Sequence, residues 1–162
     1  MNIAVIYYSD SGNTAEVADL IKKGAEKNAG VNVKCMHIDK IDMEFAESAQ
    51  AYIFGTPTYS GDLAWQLKNW FANDNEIDMK GKLGAAFATQ RYVGGGATDA
   101  LKSILGHLLV KGMLVYSSGS AEGKPYTHYG AVCIENGNED EQLRAEKFGE
   151  RIAKKAAEIF EK

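Results

Sequence analysis

The stretch NIAVIYYSDSGNTAEVADLI, residues 2–21, decides how the rest of the chain is read. Its opening run, NIAVIYY (2–8), is β-branched and aromatic and predicts a strand buried on both faces. Val17, Leu20, Ile21 and Gly24 then recur at helical spacing, and Gly30 stands where a helix stop belongs. Between strand and helix lie Ser9, Asp10, Ser11, Gly12, Asn13 and Thr14. Such a junction has two readings. Ser11 or Asn13 caps the helix, or the hydroxyls, the amide and the free backbone N–H groups of the helix terminus gather around an anion. The loop has no Lys or Arg, so it is not a Walker loop, and it is not a G-x-G-x-x-G fingerprint. Taken alone, it leaves both readings open.

The pattern repeats outward from this stretch. VNVKCMHI (31–38) alternates and predicts a second, more exposed strand. HIDKIDMEFAESAQ (37–50) bridges to a third, AYIFGT (51–56), which stops at Pro57. Leu63, Leu67, Trp70 and Phe71 predict a helix capped by Ser60 or Asp62. KLGAAFAT (82–89) reads as a fourth strand, and Leu101, Ile104, Leu105 and Leu108 as a helix ending near Gly112. MLVYSSG (113–119) and GAVCI (130–134) are strand-like pieces around a polar excursion. A last helix carries Ala145, Phe148, Ile152, Ala156 and Ile159 on one face, with acids at its start, as the helix dipole favours.

Alternating strands and helices predict an α/β fold with a doubly wound, five-stranded parallel sheet of order 2-1-3-4-5 and helices on both faces. Ligands of such sheets bind beyond the carboxyl ends of the strands at the switch point. Three loops meet there, 9–14, 56–62 and 89–98, and all three are rich in Gly, Ser and Thr. Read alone, GTPTYSGD (55–62) is a strand end before a capped helix; read as a site, Gly55 and Gly61 let the chain approach a ligand. The run GGG (94–96) requires positive φ or a flat surface to lie against, or else marks a loose loop.

Composition bounds the rest. The 162 residues, 45% apolar and 25% charged, suit one domain over 1–162. A net charge of -4 with dispersed Lys and Arg argues against nucleic acid. No run approaches the roughly 20 apolar residues of a membrane span. Cys35 and Cys133 lie in apolar runs without a C-x-x-C and read as reduced thiols, which together with the lack of a leader-like start predicts a cytoplasmic protein. No Ser-His-Asp arrangement or metal-ligand spacing is legible, and His37, His107 and His128 read as structural or solvent-facing, with His128 the one placed to reach a ligand. Trp70 fits the core stripe and Trp65 points elsewhere; both read as packing residues rather than cofactor stackers, with Trp65 the one that could border a site.

SDSGNT (9–14) resembles the T/S-x-T/S-G-N-T phosphate loop of flavodoxins, which bind flavin mononucleotide (FMN). GTPTYSGDLAWQLKNWF (55–71) and the stretch from Gly81 to Val115 are similar to those of the tryptophan-repressor-binding-protein branch, the WrbA-like NAD(P)H:quinone reductases. The resemblance implies that Ser9, Ser11, Gly12, Asn13 and Thr14 hold the FMN phosphate. It implies Pro57, Thr58, Tyr59 and Gly61 on one side of the flavin, and Thr89, Gln90, Tyr92, Gly94 and Gly95 on the other. Tyr129-Gly130 resembles a later loop of that branch that approaches the site. Two features of the quinone reductases are missing: an insertion around the second and third strands, and paired histidines at the positions of Val110 and Lys111. The resemblance therefore implies an FMN-binding electron carrier, with an NAD(P)H-dependent quinone or flavin reductase as the alternative. Its partner is a redox protein or a small donor or acceptor such as NAD(P)H or a quinone. Asp10 and Asp62 are the local acids and Arg91 the local base, which predicts a less negative potential for full reduction than in a highly acidic carrier. A phosphorylated receiver module of the same topology is disfavoured, because Gly55-Thr56-Pro57 stands where its acceptor Asp belongs.

Overall fold

The computed structural model describes residues 1–73 and 76–161. Strand β1 (Asn2–Tyr7) leads into helix α1 (Asn13–Ala25), followed by β2 (Asn32–His37), a short α2 (Met43–Ser48) and β3 (Ala51–Tyr59). A two-residue β4 (Asp62–Leu63) turns into α3 (Trp65–Asn73), and β5 (Leu83–Gln90) into α4 (Ala97–Val110). Short strands β6 (Leu114–Val115) and β7 (Ala131–Ile134) flank an excursion with one 3-10 turn, before α5 (Glu139–Phe160).

The parallel order β2-β1-β3-β5 ends in an edge shared by β6 and β7, which pair with the two ends of β5. The expected five-strand order 2-1-3-4-5 is therefore present, but its fifth strand is split. Only Leu114–Val115 of the first piece pairs, against Leu83 and Gly84, whereas β7 pairs with Phe87–Gln90. The split lets 116–130 leave the edge. Arg151 holds that excursion by donating to the carbonyls of Glu122, Gly123, Lys124 and Pro125.

Continuous apolar runs in β1, β3 and β5 follow from burial on both faces. Ile3, Val5, Ile53, Ala85 and Phe87 pack under α1 and α5, with Val17, Ile21, Phe148 and Ile152. Ala4, Ile6, Phe54, Ala86 and Ala88 face the other way, against Leu67, Phe71, Leu101, Ile104 and Leu108. Helices α1 and α5 cross closely because Gly24 and Gly149 stand at their contact. A Cβ on Gly24 would lie 1.7 Å from the Glu146 carbonyl oxygen, and one on Gly149 2.0 Å from that of Ile21.

Local chemistry differs from expectation in several places. Helix α1 ends at Ala25, ahead of Gly30, which turns at φ 76°. Neither Ser60 nor Asp62 caps α3, because Ser60 and Gly61 (φ 50° and 80°) form the two-residue turn of the β3–β4 hairpin. The bridge 37–50 contains α2, capped by the Asp42 carboxylate accepting from the Phe45 N–H. The acidic start of α5 hides a capping box, Asn138 with Glu141. Both cysteines are free, and burial pushes each thiol up to about 12. Trp70 packs beside the core as expected.

Candidate functional site

The carboxyl ends of β1, β3 and β5 open into a cleft of about 750 Å³, in the range that holds a drug-sized ligand. It is built from three loops. From the first come Asp10, Ser11, Asn13 and Thr14; from the second, Pro57, Thr58, Tyr59 and Ser60; from the third, Thr89, Gln90, Arg91 and Tyr92.

At the floor, α1 begins after Gly12, whose φ of 97° is left-handed and whose position carries no side-chain cap. Capping by Ser11 or Asn13 is thereby excluded. Ser9 Oγ accepts from the Ala15 N–H at 3.4 Å, and Gly12 O from Glu16 N–H at 3.0 Å. The N–H groups of Ser11, Gly12, Asn13 and Thr14 have no partner among the described residues. Four such donors at the positive end of a helix are chemically suited to an anion, and the side chains beside them in the loop carry no cation.

The loops brace one another. The buried Thr14 and Thr89 hydroxyls share a hydrogen bond of 2.8 Å, and Thr58 Oγ1 donates to the Thr89 carbonyl at 2.8 Å. Thr56 Oγ1 accepts from the Ala64 N–H at 2.9 Å and fixes the entry to α3. The glycine run now has a reason. Gly94 and Gly96 take φ of 79° and 94°, and a Cβ on Gly96 would stand 2.6 Å from the Gly61 Cα. Second and third loops therefore meet backbone to backbone. Gly55, by contrast, admits no ligand: a Cβ there would fall 2.0 Å from the Phe87 ring, which fills the space from the core.

Nine of the fourteen expected site residues line the cleft: Ser11, Asn13, Thr14, Pro57, Thr58, Tyr59, Thr89, Gln90 and Tyr92. Ser9, Gly12, Gly61, Gly94 and Gly95 shape the loops that carry them. Asp62 is turned away, because its carboxylate accepts from Ser103 Oγ on α4 at 2.6 Å. The second acid of the cleft is Glu135, just after β7. It takes φ of 54°, unusual for a side-chain-bearing residue, and its N–H donates to the Gln90 carbonyl at 2.7 Å. Nothing local in its sequence marks it; the pairing of β7 with β5 delivers it.

Tyr59 stands on the cleft wall at the hairpin, edge-on to Tyr8, with ring centroids 6.5 Å apart. Burial, then the neighbouring Tyr8 and Asp10, push its phenol above the ordinary value. Trp65 lies outside the cleft, in a separate hollow with Gln66 and Trp70. His128, Tyr129 and Gly130 also miss the cleft and line a third hollow beside Arg144. His107 is structural: it stacks on Phe71 at 4.8 Å, and burial lowers its pKa.

The family described as flavodoxin matches residues 5–148. A flavodoxin of Clostridium saccharobutylicum is 46% identical over 160 residues, covering 99% of this chain and all of the relative. An NAD(P)H dehydrogenase (quinone) of Paraburkholderia phymatum is 27% identical, covering 98% of each chain. That alignment spans 202 positions against 162 residues, so the dehydrogenase has segments this chain lacks. Among solved structures, a flavodoxin, WrbA-like protein of Agrobacterium tumefaciens superposes with a TM-score of 0.82, at 22% identity and covering 97% of this chain and 98% of its own, which shows a shared fold.

Proposed function

The chain belongs to the flavodoxin family, and from that premise we propose how it works: as an electron carrier whose cleft holds FMN non-covalently by its phosphate. One observation carries this reading. The N–H groups of residues 11–14 have no partner among the described residues, and Ser11, Asn13 and Thr14 line a cleft whose other loops are braced. A phosphate that is retained rather than transferred needs donors and a helix terminus, not a mobile lysine. Ser9, Ser11, Gly12, Asn13 and Thr14 form its cradle. Pro57, Thr58, Tyr59 and Gly61 make one wall; Thr89, Gln90, Tyr92, Gly94 and Gly95 make the other.

Bound FMN supplies the redox chemistry, and the chain supplies position and electrostatics. Asp10 and Glu135 disfavour added negative charge in the cleft, whereas Arg91 and the loop N–H groups favour it. Electrons pass between FMN and a redox partner protein. The free thiols, Cys133 buried and Cys35 half-buried, support a cytoplasmic site of action.

The distant dehydrogenase keeps a second reading in view, an NAD(P)H-dependent quinone or flavin reductase. The segments absent here, and Val110 and Lys111 at the paired-histidine positions, favour the carrier. Anaerobic stopped-flow mixing of the FMN-loaded protein with NADH or NADPH separates the two. A carrier stays oxidised for minutes until a reductase or dithionite is added. Bleaching of the flavin within seconds would establish the reductase instead.

A further inference from the structure

Tyr59 occupies an exposed place for a residue that has to define a wall. It sits beside a two-residue turn and is 37% exposed. Its support comes from Tyr8, the residue after β1, whose N–H donates to the Gly55 carbonyl at 3.2 Å and so belongs to the sheet. The Tyr8 ring leans on His37 of β2, with centroids 5.5 Å apart. Its hydroxyl accepts from Gln66 Nε2 of α3 at 2.8 Å.

The other half of that amide is expensive. Gln66 Oε1 is enclosed and has no hydrogen-bond partner among the described residues. An unmet buried acceptor costs free energy that an aliphatic side chain packed beside Trp65 and Trp70 would avoid. Among the described residues, the side chains of Gln66 and Tyr8 make no hydrogen bond or ring contact with residues 9–14 or with the third loop. What they do touch is the back of the Tyr59 wall.

We propose that Gln66 and Tyr8 are positioning residues, a bracket in which the Gln66-to-Tyr8 hydrogen bond fixes Tyr8 as the backstop that sets the Tyr59 ring against the flavin. This rests on the FMN reading of the cleft. The bracket links three elements: β1 supplies the backstop, α3 holds its hydroxyl, and the hairpin carries the ring that meets the ligand.

The test uses the FMN-loaded full chain. Tyr8→Phe removes one oxygen and keeps the ring; Gln66→Leu removes the donor. Affinity is read from quenching of FMN fluorescence, ring placement from visible circular dichroism of the bound flavin, and folding from thermal melting without FMN. Each variant is expected to weaken FMN by about two- to tenfold, the worth of one hydrogen bond, and to change the dichroism. The double variant is expected to match Tyr8→Phe, since removing the Tyr8 oxygen already removes the Gln66 bond along with its contact to the Tyr59 phenol. Asn69→Ala, in the same hollow but outside the bracket, is expected to match the wild type. Wild-type affinity and dichroism in Tyr8→Phe, or multiplicative effects in the double variant, would overturn the bracket. A wild-type chain that binds no FMN would instead overturn the function on which it rests.

Discussion

Replacing Thr14 by Val removes the hydroxyl that joins the head of α1 to the end of β5. The two side chains are 1% and 3% exposed and share a single bond of 2.8 Å. Valine preserves the shape, so almost no cavity forms and the loss is polar. It leaves the Thr89 hydroxyl buried and unpaired, a penalty of about 1–3 kcal/mol. At this chain length that corresponds to a fall in melting temperature of roughly 2–12 °C. Thr89→Val should cost a similar amount for the mirror-image reason. The double variant replaces both partners by apolar groups of the same shape, and should lie within about 1 kcal/mol of the wild type. Urea unfolding of the four proteins without FMN measures the cycle, since the cradle itself is then empty. Single variants within about 0.5 kcal/mol of the wild type, or a double variant showing the sum of two losses, would refute the brace between the loops.

Other consequences follow from the charges. Ser11→Asp places a carboxylate among the cradle donors. Like-charge repulsion with the phosphate, in the high effective dielectric of an exposed loop, should weaken FMN by roughly ten- to a hundredfold at low salt and less at high salt, as fluorescence titration in the two buffers would show. Arg91→Glu should shift the potential for full reduction of bound FMN downward by tens of millivolts, measured by anaerobic redox titration; an unchanged potential would remove Arg91 from the electrostatics of the cleft. Glu146 joins α5 to Lys23 of α1 and to Lys27 in the turn that follows it, and the hydrogen bonds from Lys23 and Lys27 hold its carboxyl below the usual value. Because the folded value is depressed, its stabilisation is present above the ordinary carboxylate range and is lost as pH falls through the depressed value. Glu146→Gln should therefore show a shallower loss of stability on acidification, by urea unfolding from pH 7 down to pH 3, and an acid limb identical to the wild type would count against it.

The sheet was legible because a strand buried on both faces needs an uninterrupted apolar run, and NIAVIYY, AYIFGT and KLGAAFAT are such runs. The loops at the switch point were legible for the same reason, since strand ends fix where they meet. What escaped depends on contacts distant in sequence. Gly24 reads as one more apolar position on a helix, yet its role is set by Glu146 on another helix. Gly55 looks like room for a ligand until the Phe87 ring is found in that space. Asp62 and Glu135 exchange roles because Ser103 holds one, and the pairing of β7 with β5 presents the other. Trp65 and His128 stand near the site in sequence, but each enters a different hollow.

The most direct measurement compares FMN with riboflavin, which differs only by the phosphate, by calorimetric titration of the flavin-free chain in the dark. Four backbone donors and a helix terminus reserved for that phosphate should make FMN bind at least about a hundredfold more tightly, or roughly 3 kcal/mol. Equal affinity for the two flavins, or no affinity for either, would contradict the cradle and the carrier built upon it.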